Sequence, residues 1–243
     1  MKMKHVIGAL AICMVAATAA QATTYEVRWD GTVSPGTGAH ITSSWYHGDT
    51  SAGVYNLQVK IAPPDVTNVS SFCVDVLNHC TTTWNWYTLI ELEAAPMGSG
   101  NPVMGSTNGK ADDIRKLYGT YGPDVVGTMT NDQAAAFQAA VWEIVYETSG
   151  TAYTVSSDNM IVGISANATT AANNMLSAIW NDREVDEMAM DDAVMVLASD
   201  SLQDFAITTI SSTVPEPLTM ASAFFAIGGL GAYIRRRTGR AAA

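Results

Sequence analysis

Hydrophobic and polar positions alternate, in part, along four early stretches: "TYEVRW" (24–29), "GVYNLQVKI" (53–61), "SFCVDVL" (71–77) and "WNWYTLIEL" (84–92). Each is rich in β-branched and aromatic residues, and Gly, Pro, Asn and Asp separate them, which predicts strands of an antiparallel sheet. The period then changes. "KADDIRKLYGTYG" (110–122) predicts a short helix, "NDQAAAFQAAVWEIVYETSG" (131–150) a strong one and "NATTAANNMLSAIWNDRE" (167–184) a third. "AVMVLAS" (193–199) and "DFAITTI" (204–210) return to strand. Strands, then helices, then strands imply an α+β fold: an antiparallel β-sandwich or sheet with a helical insertion. No internal repeat interrupts this order, and the Gly/Ser/Asn-rich stretch 98–109 is the natural hinge.

The central helix is well signalled. Asn131 or Asp132 can cap its start, acid lies in its first turn, and Gly150 lies just past its end. One residue breaks its apolar stripe: Gln138 shares a face with Val141, Trp142 and Val145 at the spacing that normally faces a core. A buried amide without partners costs on the order of 1–3 kcal/mol. Gln138 is therefore exposed at the edge of the stripe, hydrogen-bonded inside, or used chemically.

The chain ends carry a different pattern. Lys2 and Lys4, an apolar run over 6–17 and small residues ending in Ala20-Gln21-Ala22 form the three parts of a secretory signal peptide, with cleavage expected after Ala22. Cys13 leaves with it. At the other end residues 218–234 are uncharged and rich in Ala, Gly and Phe, slightly short of the roughly 20 residues that span a bilayer comfortably. Arg235, Arg236 and Arg237 follow at once, which places that end on the cytoplasmic side. The rigid, helix-incompatible element Pro215-Glu216-Pro217 stands immediately before the apolar run.

Pro-Glu-Pro, a short apolar transmembrane helix and an arginine cluster, in that order, resemble the PEP-CTERM sorting signal of Gram-negative bacteria. The resemblance covers about the last 27 residues. It implies a chain exported through Sec, held in the inner membrane by its C-terminal helix, and handed to an exosortase that cuts near the motif. The expected division is a leader (1–22), an ectodomain (23–213) and a sorting signal (214–240). The family's association with biofilm and extracellular polysaccharide gives the setting: cell envelope, surface or matrix.

Charge narrows the ectodomain's partners. Six basic residues (Arg28, Lys60, Lys110, Arg115, Lys116 and Arg183) face 22 of the chain's 23 acids, so residues 23–214 carry a net charge near −16. Nucleic-acid binding is disfavoured, because a phosphate backbone needs a basic surface.

Two cysteines remain, in "FCVDVLNHC" (72–80). "FCVDV" taken with "FQAAVWEIVYE" resembles the bacterial thioester domain of surface proteins, over roughly residues 70–150. In that family an aromatic-Cys-apolar strand and a Gln-x-x-apolar-Trp helix supply an internal Cys-Gln thioester. The resemblance implies Cys73 as the thiol and Gln138 as the acyl donor, with Phe72 and Trp142 shielding the bond from water. A thioester is an activated acyl group, and a target amine displacing the thiolate would leave the protein covalently attached. The implied role is a covalent adhesin that acts once, not a turnover enzyme.

The residues themselves leave alternatives open. An exported Cys73–Cys80 disulfide is favoured by the oxidising setting, provided that a turn at residues 77–79 brings the Cα atoms within about 7 Å. Two free thiols are the third possibility. With a disulfide, the protein becomes a passive structural or carbohydrate-interacting matrix component. Cys-x6-Cys with His79 is not a usual zinc spacing and has no evident fourth ligand, so no metal and no cofactor are expected. His79 reads as a turn residue. The acidic run 181–192 lacks the glycine and ligand alternation of a calcium loop. Trp84, Trp86 and Tyr87 offer either sheet-face packing or a sugar platform. His40 and His47 lie in a Gly/Ser/Thr-rich stretch read as loop, and no hydrolase or nucleotide fingerprint is present.

Overall fold

A computed structural model of the chain describes residues 23–62, 64–95, 109–122, 128–148, 150–183, 188–191 and 193–208. The leader, the hinge except Gly109, and the sorting signal lie outside the described residues, among which no helix is long and apolar enough to cross a membrane. The strands are β1 (Thr23–Ser43), β2 (His47–Ala62), β3 (Asp65–Cys73), β4 (Asn85–Glu91), β5 (Met160–Gly163), β6 (Met195–Ala198) and β7 (Phe205–Ile207). The helices are α1 (Lys110–Tyr121), α2 (Asn131–Tyr146) and α3 (Ala166–Asp182).

The fold is α+β and its strand pairings are antiparallel, as the alternation predicts. The sheet is one sheet closed on itself, not a two-sheet sandwich. β1 pairs with both β4 and β2, so the order β2-β3-β7-β6-β4-β1 returns to β2. Closure leaves no free edge in that ring. Alternate residues fill it: Tyr25, Val27, Leu57, Val59, Val69, Tyr87, Leu197 and Phe205 are all buried.

β1 and β2 are much longer than the sequence predicts. Past the ring they continue as a hairpin, from Gly36 opposite Gly53 to Thr42 opposite His47, and β5 adds to its β1 side. The Gly/Ser/Thr-rich stretch read as loop is therefore paired strand. His40 stands opposite Asp49, with Nδ1 at 2.7 Å from the carboxylate, and meets His47 edge-on at 5.0 Å. Gly36 and Gly53 permit the transition from ring to hairpin: a Cβ on Gly53 would lie 2.4 Å from the Pro35 carbonyl oxygen.

α2 is buried on all sides from Ala134 to Tyr146 instead of presenting a single stripe, because the hairpin, α1 and α3 surround it. Its cap is neither Asn131 nor Asp132. Thr130 forms a capping box with Gln133, which frees Asn131 to accept from the Gly36 N–H (3.2 Å) and Asp132 from the Ser165 hydroxyl (2.6 Å). The helix ends at Tyr146, short of Gly150, and the buried Lys110 ammonium donates to the carbonyls of Val145 (2.7 Å) and Glu147 (2.6 Å) there.

Ion pairs tie the helical layer together. Lys116 meets Asp182 at 2.7 Å with both side chains buried. Arg183 bonds Asp113, which also accepts from the Tyr153 hydroxyl (2.6 Å). Arg115 forks onto Glu93 at 2.6 and 2.9 Å. Asp182, at the start of the acidic run, is thus a packing residue; residues 184–187 and 192 of that run lie outside the described residues.

Candidate functional site around Cys73

Cys73 is the last residue of β3 and is wholly buried. The strand stops there, so 72–80 is not one extended segment. Asp75 folds the next turn: its Oδ1 accepts the Leu77 N–H (2.8 Å), its Oδ2 accepts from the Asn78 amide (2.6 Å), and the Tyr146 hydroxyl joins it at 3.3 Å. Tyr146 Oη also accepts the Val76 N–H at 3.1 Å. The chain bends at residues 76–78. Both cysteines are free thiols, Cys80 being half-buried.

Two glutamines converge on Cys73 through different atoms. Gln138 takes the backbone: its Oε1 accepts the Cys73 N–H at 2.8 Å, and its Nε2 donates to the Cys73 carbonyl at 2.8 Å. The pairing between β2 and β3 ends two residues earlier, at Tyr55 opposite Ser71. The Gln138 amide therefore stands where a strand neighbour would, satisfying both backbone groups. Of the three roles open to it, Gln138 has the internal hydrogen-bonded one.

Gln203 takes the sulfur. Its Nε2 lies 2.8 Å from Cys73 Sγ and 3.0 Å from the Asp75 carbonyl oxygen, which together use both amide hydrogens. The thiol in turn donates to that same Asp75 carbonyl at 3.0 Å. The amide carbon of Gln203 is one covalent bond beyond the nitrogen that touches the sulfur. Gln203 escaped sequence reasoning because it lies 130 residues from Cys73 and one residue before a stretch read only as strand. Its one local signal is an amide at the start of apolar "DFAI".

The expected shielding residues separate. By strand alternation Cys73 shares the ring interior with Tyr55 and Phe205, whose rings are 5.5 Å apart. Phe72 points the other way, onto Phe137 (4.5 Å between centroids) and Tyr118 (6.2 Å), and packs the helices instead of covering the sulfur. Trp142 is fully buried beside the thiol. Burial holds the Cys73 thiol well above its ordinary pKa; the neighbouring Trp142 N–H opposes that rise and the Asp75 carboxylate adds to it.

A surface cavity of about 160 Å³ leads to this centre. Tyr46 and Thr50 of the hairpin line it together with Asn78, His79 and Cys80 and with the buried Tyr55 and Gln203. His79 is exposed, and its backbone carbonyl accepts the Gln203 N–H at 3.3 Å. Among the described residues no three His, Cys, Asp or Glu side chains are grouped as a metal site would need. Trp84 carries Arg28 (4.7 Å) and Lys60 (4.3 Å) against its ring, whereas Trp86 is 67% exposed. Tyr87 faces inward, its ring 6.4 Å from Phe205.

No family model matches the chain, and no curated protein matches it. Among solved structures the chain is similar to the N-terminal thioester domain of a surface protein from Clostridium perfringens. The identity is 16%, the match covers 77% of this chain and 99% of that chain, and the TM-score is 0.42.

Proposed function

We propose that the protein is an exported cell-surface or matrix protein that attaches covalently to an amine-bearing target through an internal thioester, with Cys73 as thiol and Gln203 as acyl donor. The observation that supports it is the 2.8 Å contact between the Gln203 amide and Cys73 Sγ. Gln138 is the weaker donor, since reaching the sulfur would strip two buried backbone groups of their partners.

The chemistry balances without a cofactor. Sγ bonds to Gln203 Cδ, the Cδ–Nε2 bond breaks, and ammonia leaves with the thiol proton. An incoming amine then forms an amide at Cδ and returns the thiol. The cavity ending at Gln203 gives ammonia an exit and the amine an entrance. Each molecule acts once. Export, processing by an exosortase and a surface destination come from the sequence features at the two ends; an extracellular polysaccharide is the alternative partner if no acyl transfer occurs.

Intact mass of residues 23–213, prepared without reductant before and after methylamine, tests this. The expected result is a mass short by one ammonia that gains methylamine, both lost in Cys73→Ala and in Gln203→Ala. A mass short by two hydrogens and indifferent to methylamine would establish a Cys73–Cys80 disulfide and end the covalent mechanism.

A further inference from the structure

The outer face of the ring carries a patch that neither the core nor the thiol centre uses. Tyr25, Val27, Leu57, Val59 and Tyr87 fill the interior, so by alternation Glu26, Arg28, Gln58, Lys60 and Trp86 project outward. Lys60 stands opposite Glu26 and Glu26 opposite Trp86, which makes one row across β2, β1 and β4; Gln58 opposite Arg28 begins the next. Trp86 is 67% exposed, more than any other large apolar side chain described. A single exposed apolar residue needs no explanation, but this one does not stand alone. Arg28 (4.7 Å) and Lys60 (4.3 Å) hold the neighbouring Trp84 ring and are themselves held. Arg28 Nε donates to Gln58 Oε1 at 2.8 Å, and Lys60 Nζ to Glu26 Oε2 at 2.9 Å. Among the described residues nothing bonds the terminal nitrogens of Arg28, the Gln58 amide nitrogen or the second Glu26 oxygen. The face offers a bare indole bordered by fixed donors and an acceptor, so little ordering remains to be done on binding.

Those materials match a sugar. A pyranose ring with equatorial hydroxyls has an apolar C–H face that lies flat on an indole, and a rim of hydroxyls that both donate and accept. Charge decides among occupants. Six basic residues against 22 acids give residues 23–214 a net charge near −16, which repels both a polyanion and a second copy of this chain. Within the patch Lys60 and Glu26 neutralise each other, so a ligand without charge is the complementary one. We infer that this face binds a neutral polysaccharide of equatorially hydroxylated sugars, with Trp86 stacked on a sugar ring and Glu26, Arg28 and Gln58 bonding the hydroxyls beside it. The site is non-covalent and stands apart from the thioester reading. It holds the protein on a glycan surface whether or not Cys73 is acylated.

Native electrophoresis of the full chain in a sugar-free detergent tests this, through gels containing hydroxyethyl cellulose, arabinoxylan or dextran as neutral probes and alginate as an acidic one. The expected result is retardation in a neutral gel and free mobility in alginate. Trp86→Ala should weaken that retardation about thirtyfold, the scale of losing an aromatic anchor. Trp86→Tyr, which keeps a flat face, should restore most of it, and both variants should unfold at the wild-type urea midpoint because the side chain is exposed. Cys73→Ala should bind as the wild type does, which separates this site from the thioester. Free mobility in all three neutral gels, retardation that survives Trp86→Ala or is lost in Cys73→Ala, or equal or stronger retardation in alginate overturns the inference. A dimer in sedimentation velocity that Trp86→Ala dissociates also overturns it, by giving the face to a second copy.

Discussion

The two buried polar regions that flank α2 are built from opposite materials. Between α1 and α3 the buried groups are charged and matched: Lys116 with Asp182, Arg183 with Asp113. Around Cys73 Sγ they are neutral: the Gln203 amide, the Asp75 carbonyl and the Trp142 indole. The neighbouring Asp75 carboxylate is turned into its own loop. The contrast has a physical sense. Matched charges in a dry interior hold helices in one arrangement, because separating them leaves an uncompensated charge. Neutral partners position a buried thiol without setting a counter-charge beside it, and the thiol keeps its proton.

The largest expected effect separates the regions by function. Cys73→Ala or Gln203→Ala should abolish methylamine capture in a protein that still unfolds cooperatively, whereas Asp182→Asn should leave the capture rate of the folded protein unchanged. Next comes stability: Asp182→Asn removes the buried carboxylate that meets Lys116 and should cost about 3–5 kcal/mol in urea unfolding. If it costs nothing, the charged layer is not what locks α1 to α3.

Somewhat smaller, Gln138→Ala orphans the N–H and carbonyl of Cys73 and should cost about 3 kcal/mol, slowing ammonia loss without abolishing it. Capture that disappears in Gln138→Ala but persists in Gln203→Ala would exchange the roles of the two glutamines.

The smallest effect is on pH. Burial first of all raises the Glu143 carboxyl to about 8, with Glu147 adding to it against the Thr154 N–H, and burial raises Asp204 to about 7. Both groups bind protons more tightly folded than unfolded, so stability falls as pH rises from about 4.5 to 8, by at most about 1.4 kcal/mol per pH unit for each group. Glu143→Gln should match the wild type near pH 4 and exceed it at pH 8 in thermal melts. A variant with no advantage at pH 8 would show that the Glu143 carboxylate is solvated.

Much of the fold was legible because its periods are local. All three helices fall within a few residues of their expected limits, and every expected strand is present in part. The long hairpin was not, since Gly, Ser and Thr between residues 31 and 52 pair through their backbones and leave little hydrophobic signature. Half of the site was legible: Cys73, with its aromatic neighbour and the second cysteine after it, and the anomalous Gln138 in an apolar helix. Gln203 was not, as its meaning depends on β7 lying beside β3.

The sequence by itself determined the kind of elements and their order, the acidic composition and the candidate thiol. These are written in composition and in spacings of a few residues. Only the tertiary structure decided that the sheet closes on itself, that Phe72 faces the helices while Cys73 faces the ring, and that Gln138 holds the backbone while Gln203 meets the sulfur. The two glutamine contacts alone join residues 65 and 130 positions apart, and no local period carries that information.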